Sequence, residues 1–419
     1  MFQTKQHRLL FAAVLVLTLL APAFVSLTAH AAAPATPDVY HIVTLGDSVT
    51  AGFEPEMKSN PNLVPYGYAD RLKEQALYKG RGTLANYGIL GLNSTGLNHY
   101  ITAVKNAQPV HPDDIQSGLQ DPRIQSFANG TAQAHSDLAA ADLIVITIGG
   151  NDVRPIFEGY KSLSAEELTT QMSALLVTYT ANLKQVLSDI EAINKTAEVV
   201  LADQYQPVPK LAGATDYTKL ESAATLFTAA TDDIASSFQQ QGAPVKVAHL
   251  AKAFNGYEIS YTHILEGDIH PNQFGYEEIA NVISNLVWGS YRKTDAALGK
   301  ASISIVAKGQ ELKTSNAPII KNGQTFVAIG DIVQAMGATV KWDSHTSTAT
   351  ISYGQQVVVI PVGAKAIKVN GAAVPTSTPA FVNKVNGGLK TYVPLTLLSQ
   401  GLGFDAQYAA HLKTAFINP

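Results

Sequence analysis

The sequence predicts an α/β domain built on a parallel sheet with helices on both faces, followed by a small α+β domain of two repeats. Three observations predict it. From about residue 38 to 293, short β-rich runs alternate with long helical patterns. The β-rich runs are apolar almost throughout, as strands covered on both faces must be. Beyond residue 300 the pattern changes to short strands punctuated by Gly and Asn, and it repeats itself. A chain of 419 residues is long enough for two domains with sizeable cores.

The first residues stand apart from both domains. Lys5, His7 and Arg8 precede an apolar run from Leu9 to Leu20, and Ala29-His30-Ala31-Ala32-Ala33 offers small-residue cleavage sites. This pattern reads as a secretory signal peptide over residues 1–33, so the expected location is secreted or extracellular, including the cell surface. An uncleaved membrane anchor is the alternative, but the apolar run is short for a span.

The candidate strands of the first domain, residues 38–293, are Val39–Leu45, Thr83–Tyr87, Leu143–Ile148, Glu198–Ala202 and Val245–Leu250. The helical stretches are Tyr66–Tyr78, Ala165–Ile193, Tyr217–Gln240 and Glu277–Tyr291. In the last, Ile279, Val282, Ile283, Leu286 and Val287 share one face at helical spacing. The long connection from Ala107 to Leu138 has no long apolar face.

Thr294–Lys300 is small and polar and reads as a linker. Within 301–419, Thr325–Ile329 matches Thr391–Leu395 at a shift of 66 residues. Gly337 with Gly403, Trp342 with Tyr408 and Ile351 with Ile417 follow the same shift. Lys308-Gly309 matches Asn370-Gly371 at a shift of 62, leaving room for a four-residue insertion around Val385–Gly388.

Composition narrows the chemistry. A formal net charge of −4 with 15% charged residues gives no basic footprint for nucleic acid. The absence of cysteine excludes disulfides, thiolate metal sites and a cysteine nucleophile.

Chemistry in a parallel α/β sheet collects beyond the carboxyl ends of the strands. There the first strand runs into Gly46-Asp47-Ser48. The second is followed by Asn86-Tyr87-Gly88-Ile89-Leu90-Gly91, and the third by Gly149-Gly150-Asn151-Asp152. Gly267-Asp268-Ile269-His270-Pro271-Asn272 lies between the last strand and the closing helix. A hydroxyl, an imidazole and several N–H donors therefore meet at one sheet edge, the set that acyl transfer requires.

In combination, VTLGDSVTAG, NYGILG, IGGND and HPNQFGY resemble the SGNH/GDSL hydrolase family of lipase and acylesterase type. The resemblance implies a flavodoxin-like three-layer α/β/α sandwich over residues 38–293 and hydrolysis of carboxylic esters through an acyl-enzyme. It implies Ser48 as nucleophile, His270 as base, and an oxyanion hole of the Ser48 and Gly91 N–H groups with the Asn151 amide. It calls for no metal or cofactor. The 107–138 connection is then expected to cover part of the cleft, and its lack of the long apolar face that a lipase lid needs favours small acyl esters or acetylated glycans as substrates. Asn86 and Asp152 also match family positions, with loop-holding as their expected role. One position departs: the family aspartate three residues before the histidine is Gly267 here. Asp268, Glu266, or no carboxylate at all then completes the site, and Asp268 is favoured because residues two apart in extended chain face one way.

The stretches APIIKNGQTFVAIGDIVQAMGATVKWD and TYVPLTLLSQGLGFDAQY resemble the small N-terminal domain of some copper amine oxidases, a stalk or attachment module. That implies a cell-wall or surface-binding role for residues 301–419. Isolated His345 and His411 give no ground for copper. Two other functional classes stay open at this stage: an acyl or acetyl transferase or deacetylase on cell-surface glycans, and a catalytically idle surface-binding protein.

Overall fold

A computed structural model describes residues 38–60, 63–294, 303–385 and 387–419. The signal-peptide reading over 1–33, and the linker apart from Thr294, lie outside the described residues. Among the described residues no helix is long and apolar enough to cross a membrane.

Five parallel strands form the central sheet: β1 Val39–Gly46, β2 Arg81–Gly88, β3 Leu143–Thr147, β4 Glu198–Ala202 and β5 Val245–Ala248. Their order is β2-β1-β3-β4-β5, the flavodoxin-like order in which β1 and β3 meet at the switch point. The period-2 alternation of each strand feeds both faces. Val43, Leu45, Ile144, Ile146, Val199 and Leu201 enter one core, and Ile42, Leu143, Val145, Val200 and Ala202 the other. This is why the strands read as unbroken apolar runs. Helices Ser94–Lys105, Ala165–Ile193 and Ala214–Gln239 cover the first face; Tyr68–Leu77 and Gln273–Trp288 cover the second.

Local chemistry sets the helix starts. Ser164 and Glu167 exchange hydrogen bonds in a capping box that opens Ala165–Ile193. Asn272 accepts from the N–H groups of Phe274 and Gly275, so the last helix begins at Gln273, four residues earlier than the apolar pattern suggests. Helices Ser94–Lys105 and Gly150–Gly159 are additional to those expected from the sequence; in the first, Leu97, Tyr100, Ile101 and Val104 share one buried face at helical spacing. The 107–138 connection folds into the helices Pro112–Ile115 and Ile124–Asn129 and most of Thr131–Ala140.

In the C-terminal domain the two repeats share one sheet. Strands Gln324–Ala328 and Gly388–Pro394 pair antiparallel with Val327 opposite Val393, the residues equivalent by repeat. Three pairs of left-handed glycines mark equivalent turns: Gly309 and Gly371, Gly323 and Gly387, Gly337 and Gly403. Their separations are 62, 64 and 66 residues, so the four-residue difference is taken up in two steps and not in a single insertion.

This domain packs against the helix Tyr68–Leu77 and the start of β2. Leu77 and Tyr78 share a buried cluster with Val306 and Phe416. Asn418, 2% exposed, donates to the carbonyls of Leu77 and Gly80 at 2.8 and 2.7 Å. Arg81 donates to the carbonyls of Gly403 and Pro419, and Gln407 to that of Gly82.

Candidate active site

The carboxyl ends of β1, β2 and β3 align, with Gly46 opposite both Gly88 and Thr147. At Gly46 the chain takes φ +146°, and a Cβ there would collide with the carbonyl of Thr147. Only glycine lets β1 turn against β3 at this point. The turn leaves Asp47 as the cap of a one-turn helix, its Oδ1 accepting from the N–H of Val49 at 2.9 Å, and Ser48 as that helix's first residue. Asp47 is buried, which pushes its carboxyl up to about 7, with the nearby Asp152 acting in the same direction.

Ser48 Oγ lies 2.8 Å from Nε2 of His270, and Nδ1 of His270 lies 2.5 Å from Oδ1 of Asp268. The same Oδ1 accepts from the backbone N–H of His270 at 3.0 Å, and Oδ2 accepts from Nζ of Lys58 at 3.0 Å. The hydrogen bond from the His270 ring, seconded by the His270 N–H and by Lys58, holds the Asp268 carboxyl well below the usual carboxylate range despite partial desolvation. Glu266 turns elsewhere. It is 70% exposed and pairs with Nδ1 of His263 at 3.3 Å. The acid thus reaches the imidazole through a local turn rather than by extended-chain alternation. Gly267, at the usual family position of the acid, sits at φ +77°, a conformation that strains an aspartate.

Gly91 and Asn151 line the same cavity as Ser48. The Asn151 amide donates to the carbonyl of Leu92 at 2.8 Å, which anchors the side chain and leaves its second N–H for another acceptor. Asn86 donates to the carbonyl of Thr50 and accepts from Gly88, tying the β1 and β2 loops together. Asp152 accepts from the N–H and hydroxyl of Ser94 and ties the β2 and β3 loops. Three residues absent from the sequence reading steady Gly91 from the 107–138 connection. Gln116 donates to the Gly91 carbonyl and accepts from Asn93, and Asp121, paired with Arg123 at 2.7 Å, accepts from Leu90. Single polar residues in a long loop leave no periodic trace.

The cavity measures about 760 Å³. Gln116, Gly118, Leu119 and Gln120 of the long connection form part of its wall, and helices Gly150–Gly159, Ala165–Ile193 and Ala214–Gln239 supply Ile156, Met172 and Phe227. Nearby, Glu54, Glu56 and His263 bring one metal-ligand atom each within 4.8 Å of one another. Two of these already have protein partners: Gln273 donates to Glu54, and His263 sits between Glu54 and Glu266.

A hydroxyl hydrogen-bonded to an imidazole, whose far nitrogen meets an ionised carboxylate, is the constellation of serine hydrolases, and the loops around it belong to a flavodoxin-like sheet. The model of the GDSL-like lipase/acylhydrolase family matches residues 42–283, more than half of the chain, and the chain belongs to that family. It is an ester-hydrolysing serine hydrolase. The model of the copper amine oxidase N-terminal domain matches residues 306–417.

The uncharacterized protein YpmR of Bacillus subtilis (strain 168) is 24% identical over 241 residues, 57% of this chain and 78% of that one. Among solved structures, the lipase Lip_vut3 from a goat rumen metagenome is 20% identical, with a TM-score of 0.39, over 58% of this chain and 95% of its own. Phospholipase A1 from Streptomyces albidoflavus NA297 is 18% identical, with a TM-score of 0.40, over 59% of this chain and 99% of its own.

Proposed function

We propose that this is an exported acylesterase in which Ser48 is the nucleophile, His270 the general base and Asp268 the residue that orients it. The observation that carries the reading is the unbroken chain from Ser48 Oγ through both nitrogens of His270 to Asp268. With Asp268 ionised, Nδ1 carries the proton and Nε2 is free to accept from the Ser48 hydroxyl. Ser48 Oγ attacks the ester carbonyl as its proton passes to Nε2. The tetrahedral oxyanion is held by the N–H groups of Ser48 and Gly91 and by the Asn151 amide. The imidazolium then protonates the departing alkoxide. Water, deprotonated by the same nitrogen, releases the acyl group from Ser48. No step calls for a metal or cofactor. Export follows from the signal-peptide pattern in residues 1–33, and attachment to cell-wall or surface material is assigned to residues 301–419.

The test is Ser48→Ala. The folded variant should lose ester hydrolysis and labelling by a fluorophosphonate together. Retained labelling in a folded variant removes Ser48 from the role of nucleophile.

A further inference from the structure

The C-terminal domain holds a cavity of its own, of about 560 Å³, within the size range of small-ligand sites. It lies where the two repeats meet. Strand Gln324–Ala328 of the first repeat lines it together with helix Leu395–Gly401 and strands Asp405–Ala409 and Thr414–Asn418 of the second. Ala406 pairs with Ile417 and Tyr408 with Ala415, so these four side chains share one face of the strand pair. The two alanines take up little of that face, and the Tyr408 ring beside them is 56% exposed.

No Asp, Glu, Lys, Arg or His lines this cavity. A charged ligand would sit there without a partner for its charge, so the lining fits a neutral one. Part of the polar wall is committed to the protein: Gln324 accepts from Thr378, Thr376 donates to the Thr378 carbonyl, and Gln407 donates to that of Gly82. The rest is free. Among the described residues, the side chains of Thr325, Ser377, Thr396 and Gln400 have no hydrogen-bond partner in the protein. Thr396 and Gln400, one helical turn apart, face the same way. Hydroxyls and amides both give and take hydrogen bonds, as the hydroxyls of a sugar do. The Tyr408 ring supplies an apolar surface for the C–H face of a pyranose. Strands Gln324–Ala328 and Thr414–Asn418 are paired on both sides, so neither has an edge to offer an extended peptide.

Resting on the attachment role assigned above to residues 301–419, we propose that this cavity binds a neutral saccharide. Tyr408 stacks on a sugar ring, and Thr325, Thr396 and Gln400 bond its hydroxyls. Gln407 ties the cavity wall to Gly82, near the start of β2, whereas Ser48 lies beyond the carboxyl ends of the strands. The saccharide and the catalytic loops are thus placed at opposite ends of the sheet.

The experiment is titration calorimetry of the full chain with β-1,4-linked tetrasaccharides of glucose, xylose and N-acetylglucosamine, and with tetragalacturonate as the charged counterpart. The parent should bind at least one neutral tetrasaccharide with a Kd of about 1 mM or tighter. Tetragalacturonate should bind at least about tenfold more weakly. Tyr408→Ala should weaken the neutral sugar at least about tenfold and Gln400→Ala about fivefold. Both side chains are exposed, so the folded domain should survive either change. Trp342→Ala, the equivalent aromatic of the first repeat, lies outside the cavity and should leave Kd within about twofold. The proposal is overturned by a parent that binds none of the neutral sugars or binds tetragalacturonate equally well. It is equally overturned if Tyr408→Ala and Gln400→Ala, both folded, bind like the parent. Sedimentation with insoluble peptidoglycan tests the attachment reading separately. A parent that pellets but binds no tetrasaccharide keeps that reading and loses this one; a parent that binds a tetrasaccharide but stays in solution does the reverse.

Discussion

Nζ of Lys58 lies 3.0 Å from Oδ2 of Asp268, the carboxylate oxygen that the His270 ring leaves free. Asp268 therefore meets a cation on one oxygen and the imidazole on the other. Lys58 is itself 66% exposed, so water and salt screen the pair. The hydrogen bond to His270 is the larger influence on the carboxylate, and the lysine the smaller.

Asp268→Asn should lower kcat by at least about tenfold, against roughly 10⁴ when a strict triad loses its acid. Glu266→Gln, which touches His263 and not His270, should leave kcat within about twofold. Lys58→Met should fall between these two. Steady-state kinetics with melting temperatures for all three variants separates catalytic loss from unfolding; a Glu266→Gln effect equal to that of Asp268→Asn would contradict the assignment.

Asn151→Ala should lower kcat by about 10²–10³ with little change in KM, the usual loss for one oxyanion donor. Because the same amide holds the Leu92 carbonyl, the melting temperature should fall as well. A change confined to KM would make Asn151 a substrate-positioning group.

Burial raises the Asp47 carboxyl from its ordinary 3.8 to about 7. Its contribution to stability is thus complete below about pH 4 and is lost as pH rises through 7, because the unfolded chain ionises more easily. Asp47→Asn removes that dependence. Between pH 5 and pH 8 the melting temperature of the variant should gain on that of the parent, as measured by thermal scans in matched buffers. Asp268 acts with the opposite sign: its lowered pKa contributes stability above the ordinary carboxylate range, lost as pH falls.

Asn418→Ala leaves the carbonyls of Leu77 and Gly80 without their donor at the end of helix Tyr68–Leu77. Urea unfolding should show a loss of about 1–3 kcal/mol, while turnover of soluble esters at 25 °C stays near the parent's. A chain ending near Gly299 should lose more, since Leu77 and Tyr78 would then face water. Equal stability of Asn418→Ala and parent would mean that the contact is not formed in solution.

The five strands and the two longest helices were legible in the sequence because burial on both faces, and amphipathic faces of many turns, leave long periodic traces. Ser48 was legible from its place just beyond β1, and His270 from its place shortly before the closing helix. Asp268 was harder. Its reach to His270 depends on a turn in which one carboxylate oxygen takes both the ring and the backbone N–H, and residue spacing does not encode that. Lys58, Gln116 and Asp121 act from loops over long sequence separations. The cavity wall was hidden for a different reason: Leu168, Met172 and Phe227 have the spacing of core residues, and only their meeting in space leaves a void between them.

The strand order leaves β2 as an outer strand, hydrogen-bonded to β1 alone. An outer strand of eight residues is a template on which another chain can add its own strand. Arg81 and Gly82, where β2 begins, are instead held by Gly403, Gln407 and Pro419. The C-terminal domain thus caps the start of this open edge, where the Gly82 carbonyl is already taken by Gln407 and closed to an incoming strand.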